Sequence, residues 1–118
     1  MKHFSRKEVI DVSNEDDPVV IYAYTLNQAI EDGVLVEVFK KNWHKLTYGK
    51  PIVATAQIFN DISLAGLMEI WNEFADWRTN IMPALREEDQ LFHTGMNDKT
   101  IWVLEDGQAF TILYPEEY

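Results

Sequence analysis

Cysteine is absent from this chain of 118 residues. That excludes disulfide staples and thiolate metal sites, and makes a reducing compartment the simpler expectation. Long apolar runs are absent too, none approaching the roughly 20 residues that span a bilayer. After Met1–Phe4 come Ser5, Arg6, Lys7 and Glu8, without the apolar stretch and small-residue cleavage site of a secretory leader. A cytoplasmic protein without a membrane partner is expected. Glycine is sparse, five residues in scattered positions, so neither a phosphate-cradling loop nor a nucleophile elbow is present. His3, His44 and His93 show no i, i+4 pairing, and without thiolates they are too few for a structural zinc site. No metal and no cofactor are expected, although a carboxylate-assisted site around His93 stays open.

Positive charge is the scarcest resource. Ten bases face twenty acids, for a net charge of -10. The imbalance is uneven: residues 1–50 carry eight acids and seven bases, a net of -1, whereas residues 51–118 carry twelve acids against Arg78, Arg86 and Lys99, a net of -9. A field of that sign repels phosphate backbones and anionic lipid, so direct nucleic-acid binding is not expected, and a basic protein is the favoured partner. The plain alternative is that the acids serve solubility.

What the sequence does hold is a core. Apolar residues make up 47% of it and aromatics number fifteen, which argues for one folded domain over 1–118 rather than a disordered chain. Residues 1–17 read as a loosely held arm ending in the acidic Ser13–Pro18 (SNEDDP). Val19–Tyr24 has strand composition. Thr25 and Gln28 have capping-box spacing, Leu26, Ala29 and Ile30 share one helical face, and Gly33 suits a left-handed stop. Val34–Phe39 then alternates, with Val34, Val36 and Val38 opposite Leu35, Glu37 and Phe39, as a strand with one wetter face would. Lys40–Pro51 reads as a basic loop. Residues 52–60 (IVATAQIFN) fit helix or strand, and helix is preferred.

Ser63 is a natural N-cap for an amphipathic helix over about Leu64–Thr79. Its apolar face is Leu64, Leu67, Met68, Trp71, Phe74 and Ala75, and its polar face holds Glu69, Asn72, Glu73 and Asp76. Pro83 opens a short segment ending in the solvated Glu87-Glu88-Asp89. Strands are expected over Gln90–Met96, Thr100–Leu104 and Ala109–Tyr114, with turns at Asn97-Asp98 and Glu105-Asp106-Gly107. Pro115, lacking an N–H, ends the last strand. The expected class is α+β: a C-terminal antiparallel meander packed on one main helix, preceded by a strand-helix-strand unit.

No catalytic residue is assigned. Twenty acids make chance carboxylate pairs common, so pairing alone does not point to acid–base chemistry. Asp98, Glu105 and Asp106 lack the spacing of a calcium loop and read as solvated turn acids. For binding, the candidates are Glu69, Glu73 and Asp76 on the acidic helix face, and Trp43, His44 and Lys45 in the basic loop, where an exposed Trp would anchor an interface. Trp77 joins them because, six residues or about 600° beyond the core-facing Trp71, it falls at the edge of the apolar face. For Trp43 the plain alternative is an aromatic folded back over the core.

Thr25–Val38, Pro51–Thr55 (PIVAT) and Thr111–Glu117 (TILYPEE) give the sequence a resemblance to an uncharacterised family of small phage, plasmid and mobile-element proteins. Those proteins look like Y-T-x-x-x-A-x-E-D-G-V-L-V-x-V early, P-V-A-x-T in the middle and T-I-x-x-P-E-E late. Tyr24, Ala29, Glu31, Asp32, Gly33, Val34, Leu35, Val36 and Val38 fit the early motif. Trp43–Gly49 has no counterpart in the pattern. The resemblance implies a mobile-element origin and no activity.

Three functional expectations follow. The first is a non-enzymatic acidic protein acting on a basic host protein, in the limit as a nucleic-acid mimic with an anti-defence role. The second is a regulatory interaction module using Lys40–Lys50 and Trp43. The third is a small hydrolase. A homodimer is expected in solution.

Overall fold

The structure is a computed structural model, which describes residues 25–40 and 49–118. The expected strand over Val19–Tyr24, the arm over 1–17 and the loop residues Trp43, His44 and Lys45 lie outside those residues. The class is α+β.

Among the described residues, five strands form a single mixed sheet. They are β1 (Leu35–Val38), β2 (Ile52–Thr55), β3 (Phe92–Met96), β4 (Lys99–Glu105) and β5 (Phe110–Leu113), in the spatial order β1-β2-β5-β4-β3. Every neighbouring pair is antiparallel except β2–β5, which is parallel, with Ile52 opposite Phe110 and Ala54 opposite Ile112. The expected meander is therefore one half of a larger sheet, and the strand expected within Val34–Phe39 belongs to the other half. The α-helices among the described residues are α1 (Leu26–Glu31), α2 (Ala56–Asp61) and α3 (Leu64–Asn80).

Local chemistry sets most boundaries. Thr25 caps α1, its Oγ1 accepting the Gln28 N–H at 3.0 Å. Gly33 follows α1 at φ +78, a conformation a Cβ would disfavour. Ser63 caps α3 by accepting the Gly66 N–H at 3.1 Å. Gly66 also permits a close approach, since a Cβ there would lie 2.8 Å from Ile62 Cγ2 and 3.0 Å from Met96 Sδ. Asn97 and Asp98, at φ +56 and +66, make the tight β3–β4 turn, and positive φ at both central residues is the type I′ pattern that matches strand twist.

The stretch 52–60 corrects the preference for helix. It divides at Thr55: β-branched Ile52 and Val53 pair in the sheet, and Thr55 caps α2 through Ile58 N–H at 3.3 Å. Two corrections concern faces. Leu64, expected in the core, is 60% exposed, while Ile70 is 1% exposed and packs beside Leu67, Trp71 and Phe74. Position 64 lies in the first turn, where α3 has only begun to meet the sheet. In β1 the buried residues are Leu35 and Val38, on opposite faces, with Val36 and Glu37 half-buried, so the wetter face does not exist as expected. Around β1 and β2 the sheet is covered on both sides.

α3 and α2 cover one side. Their Leu67, Ile70, Trp71, Phe74 and Ile58 meet Ile52, Ala54, Phe110, Ile112, Ile101, Val103 and Phe92 of the sheet in one core cluster. Trp71 stacks edge-on to Phe110 at 5.0 Å between ring centroids, and Phe74 to Phe92 at 5.5 Å, the quadrupole-favoured arrangement. α1 covers the other side near β1 and β2, where Ala29, Leu35, Val53 and Ala109 form a smaller cluster. All four residues of β2 and of β5 are buried, as the central strands of a two-sided sheet must be. No helix among the described residues is long and apolar enough to cross a membrane.

Candidate functional site

α3 lies along β3 and runs antiparallel to it. Met96 sits against Gly66 near the start of the helix, Thr94 Oγ1 donates to Glu73 Oε1 at 2.6 Å in the middle, and Phe92 stacks on Trp77 at 5.5 Å towards its end. Among the described residues, β3 is the outermost strand of the sheet on this side. Glu69, Glu73 and Asp76 all fall within about 60° of one another around the helix, given 100° per residue. All three are exposed, and the Thr94–Glu73 bond fixes their stripe above β3. The expected acidic face is therefore real as a place. It borders a sheet edge.

Within this stripe the partners are neutral. Glu73 holds the Thr94 hydroxyl, and Asp76 Oδ1 accepts from Asn80 Nδ2 at 2.7 Å. Among the described residues, none of the three carboxylates forms an ion pair. The bases of this half of the chain are engaged elsewhere: Arg78 with Glu105, Arg86 with Glu88 and Asp89, and Lys99 over the Tyr114 ring at 5.0 Å. Trp77 is half-buried and packs against Phe74 and Phe92, so it belongs chiefly to the core margin.

Glu105 overturns the expectation of a solvated turn acid. Its register partner is Phe110, on the α3 side of the sheet. Arg78 reaches it with Nε at 2.7 Å and a terminal nitrogen at 2.9 Å, and Lys50 Nζ lies at 2.7 Å. Lys50 also donates to the Asp106 carbonyl at 2.7 Å and stands 4.8 Å from the Phe110 ring centroid. The Arg78 guanidinium holds the Glu105 carboxyl below its ordinary range; partial burial opposes this, and Lys50 reinforces Arg78. The group clips α3 to the sheet. It also binds Lys50 to the fold, drawing that residue out of the set of loop bases.

A second clip joins α2 to the segment after β5. Tyr114 Oη donates to Asp61 Oδ2 at 2.8 Å, and Glu117 Oε1 accepts both the Thr55 hydroxyl at 2.8 Å and the Tyr114 N–H at 3.0 Å. Burial raises the Tyr114 phenol far above its usual value, with the Asp61 hydrogen bond adding to it. The same bond lowers Asp61. Asp106 has a turn role, its Oδ1 accepting the Gln108 and Ala109 N–H groups at 2.8 and 3.0 Å. His93 is exposed and pairs across the ladder with Trp102. Among the described residues no group of three or more His, Asp or Glu is placed to hold a metal ion.

The three motif segments behind the mobile-element resemblance meet in space. Val34 O accepts the Ala56 N–H at 3.2 Å, β1 pairs with β2, β2 pairs with β5, and Thr55 bonds Glu117. Within the described residues, the motifs thus account for a fold junction and not for an exposed site. No family model matches the chain, and no curated protein or solved structure matches it.

Sequence reasoning missed Arg78 and Lys50. The signal for Arg78 was available: it stands four residues after Phe74 and seven after Trp71, on the apolar face, where a charge requires an acidic partner.

Proposed function

We propose that this is a non-enzymatic binding protein of a phage or other mobile element, cytoplasmic, and that it acts on a basic host protein. The carboxylate stripe Glu69–Glu73–Asp76 is part of the surface that meets the partner. The observation that carries this is the stripe itself: three exposed carboxylates on successive turns, without a cation among the described residues, in a half of the chain whose bases are engaged elsewhere. Like charges at such spacing disfavour one another by about 0.2–0.5 kcal/mol per pair, and a bound Lys or Arg relieves that cost. The net charge of -10 adds long-range attraction, which raises the encounter rate at low salt.

Three carboxylates over two helical turns make a short row. Several other acids have structural employment, among them Asp61, Glu105 and Glu117. This supports recognition of a basic segment over imitation of a whole nucleic-acid duplex. The mobile-element setting draws its support from the motif resemblance.

The test is capture from host lysate with three proteins: wild type, the stripe variant Glu69→Gln/Glu73→Gln/Asp76→Asn, and a control variant Glu87→Gln/Glu88→Gln/Asp98→Asn of equal charge. A basic protein retained by wild type and control, released by high salt and lost with the stripe variant is the expected result. Equal loss with both variants would mean that net charge alone attracts the partner, and would refute the assignment to the stripe.

A further inference from the structure

The edge of β3 offers more than charge. Across the β3–β4 hairpin the residue pairs alternate between those that exchange both backbone hydrogen bonds and those that exchange none. A two-residue turn at Asn97-Asp98 closes on a bonded pair, Met96 with Lys99, so Thr94 and Phe92 are bonded and Gly95 and His93 are not. By that alternation the backbone N–H and C=O of His93 and Gly95 point outward from the sheet, and among the described residues no backbone bond outside the β3–β4 ladder engages them. Natural edges are blunted by proline, lysine, a bulge or a cover. β3 reads Phe-His-Thr-Gly-Met. It has none of the protective residues, and Gly95 leaves one of the two outward-bonding positions without a side chain.

Charge selects the occupant. In an added strand, side chains on one face recur every ~6.6–6.8 Å. Along α3, the rise of ~1.5 Å per residue sets Glu69 and Glu73 about 6 Å apart, and Glu73 and Asp76 about 4.5 Å apart. Lysines at alternate positions of an incoming strand, on its α3 side, would each meet one carboxylate, their flexible stems absorbing the mismatch. A second copy of this chain at the same edge would set two such carboxylate stripes against each other, which disfavours self-pairing here.

We infer that β3 receives an extended basic segment of the partner as a sixth strand, with backbone bonds at His93 and Gly95 and alternate Lys or Arg side chains on Glu69, Glu73 and Asp76. The inference rests on the proposed recognition of a basic protein and names the part of the partner that is read. Backbone pairing supplies the register and the carboxylates supply the selection.

The probes are two synthetic peptides of identical composition, one alternating Lys with Val or Thr, the other with its lysines contiguous. The alternating peptide should bind the intact protein about tenfold more tightly, on the scale of a few partly screened ion pairs. Binding should slow hydrogen exchange at the His93 and Gly95 amides. Gly95→Pro, which removes an outward N–H and leaves the β3–β4 bonds, should abolish the preference; the exchange measurement in the unaltered protein decides the matter should that variant misfold. Equal binding of both peptides, lost on neutralising the stripe, would overturn the strand addition and spare the acidic-stripe function. Binding unaffected by the stripe variant would overturn both. Concentration-dependent protection of His93 and Gly95 without peptide would make a second copy the occupant and refute the inference.

Discussion

Replacing Glu105 with Gln removes one negative charge from between two cations while keeping the side chain's shape. Its carboxylate takes two bonds from Arg78, at 2.7 and 2.9 Å, and one from Lys50 at 2.7 Å. The side chains of the trio are 24–28% exposed. Fully buried charge-assisted bonds are worth about 1.5–3 kcal/mol each, and exposed pairs 0.2–1 kcal/mol. Discounted for partial exposure, the two ion pairs contribute about 1.5 kcal/mol together, with Gln retaining some hydrogen bonding. For a domain of this length that corresponds to a fall of about 6 °C in melting temperature at neutral pH. The pH dependence follows from the sign of the shift. The folded pKa of Glu105 is depressed below its ordinary value of 4.5, so the contribution is fully present above that value and disappears as pH falls through the folded pKa. Thermal melts of wild type and Glu105→Gln should therefore differ by a constant interval from pH 7 to 5 and converge below. The control Glu87→Gln, an exposed acid, should melt with wild type throughout. Coincident melts at pH 7, or a gap that persists into the acid range while the transition stays cooperative, would refute the reasoning.

Trp71→Ala should cost about 3–5 kcal/mol in urea unfolding, as for other large core aromatics; Trp77→Ala should cost less yet still lower the midpoint, because its ring packs on Phe74 and Phe92. Tyr114 should ionise well above the ordinary tyrosine range in an alkaline spectrophotometric titration, and Asp61→Asn should bring it only part of the way back, since burial is the larger cause. Gly33→Ala should destabilise by about 1 kcal/mol because of its φ of +78, whereas Gly107→Ala, with open space around its Cβ position, should stay within about 0.5 kcal/mol of wild type in the same assay.

The elements that could be read from sequence are those whose signal is local. Ser63 and the period of Leu67, Trp71 and Phe74 define α3; Asn97-Asp98 defines a hairpin; Thr25 and Gly33 bracket α1. Residues 52–60 were ambiguous because two signals overlap there, β-branched up to Thr55 and helical after it, and only pairing with β1 and β5 decides where one yields. The parallel β2–β5 contact joins residues far apart in sequence, and nothing in the composition of either strand names the other. The acidic stripe was visible as periodicity. Its position beside an open edge was not, since strand order is a property of the whole sheet.

The parallel pair has a further consequence for biogenesis. β5 is flanked by β2 and β4, and the ribosome makes it after the four other strands of the described residues. Until residues 110–113 emerge from the exit tunnel, β1–β2 and β3–β4 are two separate ribbons, and the surfaces that will bury Phe110 and Ile112 stay wet. A nascent chain stalled short of them should be a substrate for chaperones and proteases, so abundance in the cell will respond sharply to any lesion that delays or deletes this one strand.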